Sequence, residues 1–71
     1  MKQITERDKE LLHFVQTFID EHGYSPSLRE IGNGCFMSKP TAYRHIMRLV
    51  ELGYMQVTPK CARSYVVKIA I

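Results

Sequence analysis

The chain has 71 residues, 45% of them hydrophobic, with 24% charged and a formal net charge of +3. That length gives one domain spanning residues 1–71, one that buries only about 60% of the surface of its unfolded chain. It leaves no obvious room for a catalytic pocket, and no apolar run is long enough to cross a membrane.

The first predicted element is a helix over about 5–22. Thr5-Glu6-Arg7-Asp8 reads as a capping box, and Leu11, Leu12, Phe14, Val15, Phe18 and Ile19 form a stripe at helical period. Gly23 supplies the stop. "GYSPS" is a connector, because Pro26 disfavours helix at Ser25. Ser27-Leu28-Arg29-Glu30 is a second capping box and opens a short helix over about 27–34, with Leu28 and Ile31 facing a core. Gly32 and Gly34 weaken this helix, and it is expected to end at Asn33-Gly34, where left-handed backbone costs little.

Cys35, Phe36 and Met37 then make an apolar turn. Ser38 is the best N-cap for a third helix over about 39–52, with Pro40 tolerated in its first turn and Gly53 ending it. Beyond Gly53 the period changes to two. "YMQVT" and "SYVVKIAI" read as the strands of a β-hairpin over about 54–70, with "PKCAR" between them and Tyr65, Val67 and Ile69 alternating with Val66, Lys68 and Ala70. Three helices with a tight turn between the last two, followed by a hairpin, define a mainly α fold with a small β-hairpin: a three-helix winged helix-turn-helix.

Charge is distributed unevenly along this order. Residues 1–37 carry four basic and six acidic side chains, a net of −2, whereas residues 38–71 carry six basic side chains against Glu51 alone, a net of +5. A one-sided basic surface attracts polyanions. A helix entering the DNA major groove needs a small polar first turn and long donors on its outer face. The third helix offers Ser38, Lys39 and Thr41 in the turn, then Arg44 and Arg48 opposite Ala42, Ile46 and Leu49. Arginine can bond guanine O6 and N7 bidentately. Free N–H groups beside Ser38, and beside Ser27 at the start of the second helix, suit a phosphate. Lys60 and Arg63 fall at the hairpin tip, where a wing would meet the backbone.

Plainer readings stand beside these. Arg44 and Arg48 also fit an exposed, solubilising face, and Tyr43 fits either a groove flank or the wing. His45 reads as a partly buried interhelical residue, Met47 and Met55 as core, Cys35 as a small core residue and Cys61 as a free thiol in a loop. His13, His22 and His45 lack metal-ligand spacing with carboxylates, and the cysteines form no CxxC pair, so no metal, no cofactor and no enzyme activity are expected. The charged start "MKQITERDKE" is no secretory segment, which points to a cytoplasmic protein with reduced thiols.

"GYSPSLREIG" carries a Gly-aromatic-x-Pro-x-x-x-Glu-Ile pattern, and "RHIMRLVELGYM" matches a His-Leu-x-x-Leu-x-x-x-Gly-hydrophobic segment. In these stretches, and over about residues 4–69, the chain resembles the N-terminal DNA-binding domain of the LexA repressors, the bacterial SOS regulators. The resemblance implies a winged helix-turn-helix that binds double-stranded operator DNA and represses transcription. It also implies that the operator is read from Ser38, Pro40, Thr41, Tyr43 and Arg44. Only Ser38 matches the family residue, so the operator sequence does not carry over. Residues Ile31 to Phe36 run one residue shorter than the family pattern. Cys35 stands at the usual Gly, and Gly34 is expected to take its role. The family's Ser/Lys self-cleaving peptidase and dimer contacts lie in a C-terminal domain beyond Ile71, so autoproteolysis and direct SOS control are not implied. A monomer in dilute solution is expected, with a homodimer on DNA left open. The competing reading is a winged-helix protein-interaction module that does not bind DNA.

Overall fold

The computed structural model describes residues 4–57 and 65–69. Helix α1 spans Glu6–His22, α2 Leu28–Cys35 and α3 Lys39–Glu51; strands β1, Met55–Gln56, and β2, Val66–Val67, follow. This is the expected three-helix winged helix-turn-helix, and the helix ends arise where local chemistry places them. The Thr5 hydroxyl accepts from the Asp8 N–H at 3.2 Å, and the Asp8 carboxylate accepts from the Thr5 N–H at 2.9 Å. Ser27 and Glu30 repeat the exchange at the start of α2, at 3.2 and 2.8 Å. Each box satisfies two donors that the first turn of a helix leaves without partners.

The end of α2 differs from expectation. The helix continues through Gly34 to Cys35, and the left-handed residue is Phe36, with φ 58° and ψ 46°. Gly34 is helical and lies beneath the Phe14 ring; a Cβ there would fall 2.2 Å from Phe14 Cε1. The core explains the extra residue. Ile31 and Cys35 are four apart and share one helix face, and both are buried. An earlier stop would take Cys35 off that face. Burial also pushes the Cys35 thiol up, as expected for a cysteine acting as a small core residue. Turning at Phe36 brings Met37 back onto the core, and the Phe36 and Met37 N–H groups both donate to the Gly32 carbonyl, Met37 at 2.8 Å. Left-handed backbone costs a non-glycine residue about 1–2 kcal/mol, and the burial on either side of Phe36 offsets it.

Leu11, Leu12 and Val15 of α1, Ile31 and Cys35 of α2, Ala42, Ile46 and Leu49 of α3, and Met55 of β1 form the buried core. Met47 packs partly buried against it. The hairpin is antiparallel, with Met55 opposite Val67 and Gln56 opposite Val66. The ladder is shorter than the strands expected from the sequence. Tyr65 and Val67 pack inward while Val66 and Lys68 are exposed, but the alternation stops there and Ile69 is exposed as well. The backbone accounts for this: the Lys68 and Ile69 N–H groups both turn to the Tyr54 carbonyl, at 2.7 and 3.2 Å, which ends the pleat.

The turn between α2 and α3 also explains Gly32. A Cβ at this position would lie 2.8 Å from the Met37 carbonyl oxygen, a backbone atom that cannot swing aside. Gly32→Ala is therefore expected to lower stability by about 1–3 kcal/mol, although alanine is the better helix former by about 1 kcal/mol. Urea denaturation measures this, and a variant as stable as the parent would contradict the close approach.

Candidate nucleic-acid interface

Helix α3 divides cleanly into two faces. Ala42, Ile46 and Leu49 are fully buried, and Arg44 lies opposite them, exposed. At its start the Ser38 hydroxyl accepts from the Thr41 N–H at 3.4 Å and donates to Thr41 Oγ1 at 2.9 Å. Lys39 and Pro40 follow, both exposed; the proline lacks an N–H where the helix would leave one unpaired in any case. The start of α3 therefore presents Ser38, Lys39 and Pro40, with Tyr43 and Arg44 one turn on, all of them exposed, and Thr41 half-buried among them. Tyr43 is half exposed and lies close enough to the wing to act on Tyr65, whose phenol is pushed up by burial first and by Tyr43 second. Tyr43 is thus exposed on α3 and near Tyr65 of the wing.

The two arginines are not equivalent. Arg48 leans toward α1, with Nε 3.7 Å from Asp8 Oδ2, and its side chain is half exposed. Arg44 has no ion-pair partner among the described residues, so it is the arginine of the outer face. Ser27 is half-buried, with its N–H and hydroxyl oxygen engaged in the cap of α2; its hydroxyl proton is left to donate. Lys60, Arg63 and Cys61 lie outside the described residues.

Two residues of the first turn of α1 hold this surface from behind, and sequence reasoning gave them only local roles. Asp8 is fully buried. Besides the Thr5 N–H, its carboxylate takes a hydrogen bond from His45 Nδ1 at 2.6 Å. An ionised carboxylate only accepts, so Nδ1 carries the proton. This is the partly buried, interhelical His45 expected from the sequence. Burial pushes the Asp8 carboxyl up, but the hydrogen bonds from Thr5 and His45 together outweigh it and hold the group below its usual 3.8. Beside it, Arg7 donates to the Cys35 carbonyl at 3.0 Å and pairs with Glu10 at 3.0 Å. A cation on the last carbonyl of α2 also suits the helix dipole.

Elsewhere, an open cavity of about 350 Å³ lies between α1 and α2, lined by Phe14, Phe18, Glu21, His22 and Glu30 among others; no described residue of α3 or of the hairpin lines it. Among the described residues no three His, Cys, Asp or Glu side chains could hold a metal ion, and no helix is long and apolar enough to cross a membrane.

An exposed third helix on a short second helix, backed by a two-stranded wing, is the arrangement of a winged helix-turn-helix DNA-binding domain. Residues 1–64 match the LexA DNA binding domain family, and the chain belongs to it. It is 38% identical over 64 residues to the LexA repressor of Thermosipho africanus and 37% identical over 65 residues to that of Bacillus mycoides. In each case the match covers 90% of this chain and 32% of the relative, so the chain spans about a third of the length of these curated relatives.

Asp8→Asn tests the support behind α3. Loss of the charged acceptor at a buried site is expected to cost about 1–3 kcal/mol at pH 7. Because the folded-state pKa is below the unfolded one, the carboxylate's contribution is fully present above the usual 3.8 and disappears as pH falls through the depressed value. Denaturation from pH 7 to pH 2 should therefore show a shallower acid limb for the variant than for the parent. Parallel acid limbs would contradict the linkage.

Proposed function

We propose that the chain is a sequence-specific regulator of transcription that binds double-stranded DNA and acts as a repressor, with α3 in the major groove and the wing on the backbone. It works by binding rather than by catalysis, and such a regulator belongs in the bacterial cytoplasm with the DNA. The observation that carries this reading is the outer face of α3: a small polar first turn followed by an exposed arginine with no ion-pair partner among the described residues, on a helix whose other face is locked into the core. Family membership supports it, and so does the repressor function named for the similar proteins.

In this arrangement Arg44 reads a base edge, with guanine O6 and N7 the acceptors that suit a guanidinium. Pro40, Thr41 and Tyr43 shape the contact around it. Ser38 and Lys39 hold a phosphate at the helix start, and Ser27 does the same at α2. Arg48 serves the backbone from the edge of the face, its guanidinium steered at Nε by Asp8, and Lys60 and Arg63 supply the contacts of the wing. The chain is a monomer in dilute solution and pairs on two-fold DNA.

The test is selection of a duplex from a random pool, followed by fluorescence anisotropy over a salt series. Arg44→Ala should weaken binding to the selected duplex by about 5- to 150-fold, the equivalent of 1–3 kcal/mol, with little change in melting temperature. Lys39→Ala should weaken all duplexes alike and reduce the salt slope by about one. Full affinity in Arg44→Ala would remove α3 as the reader. Failure to bind any duplex at low salt would leave α3 as a protein-docking face.

A further inference from the structure

We propose that Phe36 determines specificity by packing its ring against the C5-methyl group of a thymine in the major groove; this rests on the DNA reading above.

Two independent features single the residue out. Phe36 is 91% exposed, whereas the other large exposed hydrophobic residues among those described range from 43% to 50%. It is also the one non-glycine residue with positive φ among those described. The left-handed backbone serves the turn, but the ring does not serve the fold. The turn needs a left-handed residue at this position, and glycine or asparagine would supply it without the clash of a bulky side chain. The core gains nothing from a ring that stands in solvent. Strained backbone persists mostly where function uses it.

Position indicates what the ring meets. Cys35 and Met37 on either side turn to the core, so Phe36 alone points out of the turn. It lies two residues before Ser38, the N-cap of α3. At 3.8 Å per Cα step, the two residues are at most about 7.6 Å apart. Phe36 therefore lies beside the end of α3 that leads into the groove, with its ring in solvent. The edges of the base pairs there are polar except for one group, the methyl of thymine, and aromatic side chains are among its partners. A ring placed at this point favours a thymine within the bases read by the first turn of α3.

The experiment uses the selected duplex, with each thymine replaced in turn by deoxyuridine, which lacks only that methyl. Anisotropy is read for the parent and for Phe36→Gly and Phe36→Asn, both of which accept the backbone geometry. One thymine-to-deoxyuridine step should weaken the parent about fivefold and leave both variants unchanged. The variants should bind the unmodified duplex about tenfold more weakly than the parent, with no loss of melting temperature. If the variants match the parent in affinity, Phe36 does not touch DNA. If they bind more weakly but keep the parent's deoxyuridine profile, the ring serves another contact, a second copy of the chain included, and the assignment falls. If the parent selects no duplex, the DNA reading itself has failed and this proposal with it.

Discussion

The structure depends on two adjacent side chains in the first turn of α1. Arg7 holds the last carbonyl of α2, and Asp8 holds His45 in the middle of α3. Consecutive residues on a helix point about 100° apart, so a single turn can reach two elements that meet behind it. The apolar core is not directional and would tolerate some rotation of α3 about its own axis. A 2.6 Å hydrogen bond between a buried carboxylate and an imidazole is directional, and it fixes which residues of α3 face outward. Arg44 faces solvent because His45, one residue on, is tied inward.

The same constraint explains how a shortened turn can work. Where the resemblance suggests Cys35 at the family's glycine, the structure has Phe36 in the left-handed conformation and Met37 as the partly buried hydrophobe packed on the core. The turn is compact enough for the Met37 carbonyl to sit over Gly32, a contact that only a residue without Cβ permits. Helix α2 keeps its full inner face, Ile31 and Cys35, and α3 starts at Ser38 with its cap intact. Where the resemblance implies a connection one residue shorter, the relation of the two helices is held by the core on one side and by Arg7 and Asp8 on the other.

Much of this was legible in the sequence, because much of it is local. The two capping boxes, Gly23 and the Ser38 cap are set by residues no more than four apart, and the core follows from the helical spacing of Leu11, Leu12, Val15, Ala42, Ile46 and Leu49. The end of α2 was misplaced for the opposite reason. Asn33-Gly34 has the better local propensity for left-handed backbone, but burial of Cys35 and Met37 outweighs it and moves the turn to a phenylalanine. The Asp8–His45 bond joins residues 37 positions apart. The sequence offered a complete local explanation of Asp8 as a capping residue, so nothing pointed further. Arg44 and Arg48 look alike in the sequence, and only the position of Asp8 separates them. An exposed Phe36 was invisible, since an aromatic residue in an apolar run reads as core.

We propose that the surface set by Asp8 and His45, from the α2–α3 turn along the outer face of α3, is the one that meets DNA. The most direct test is a titration of the nitrogen-15-labelled protein with the selected duplex, followed amide by amide by nuclear magnetic resonance. The largest shifts are expected from Phe36 through Arg48, with Thr17 to His22 on the opposite side of α1 unmoved. Shifts concentrated at Phe14, Phe18 and His22, with the start of α3 silent, would rule out α3 as the DNA-binding face and make the groove between α1 and α2 the working surface.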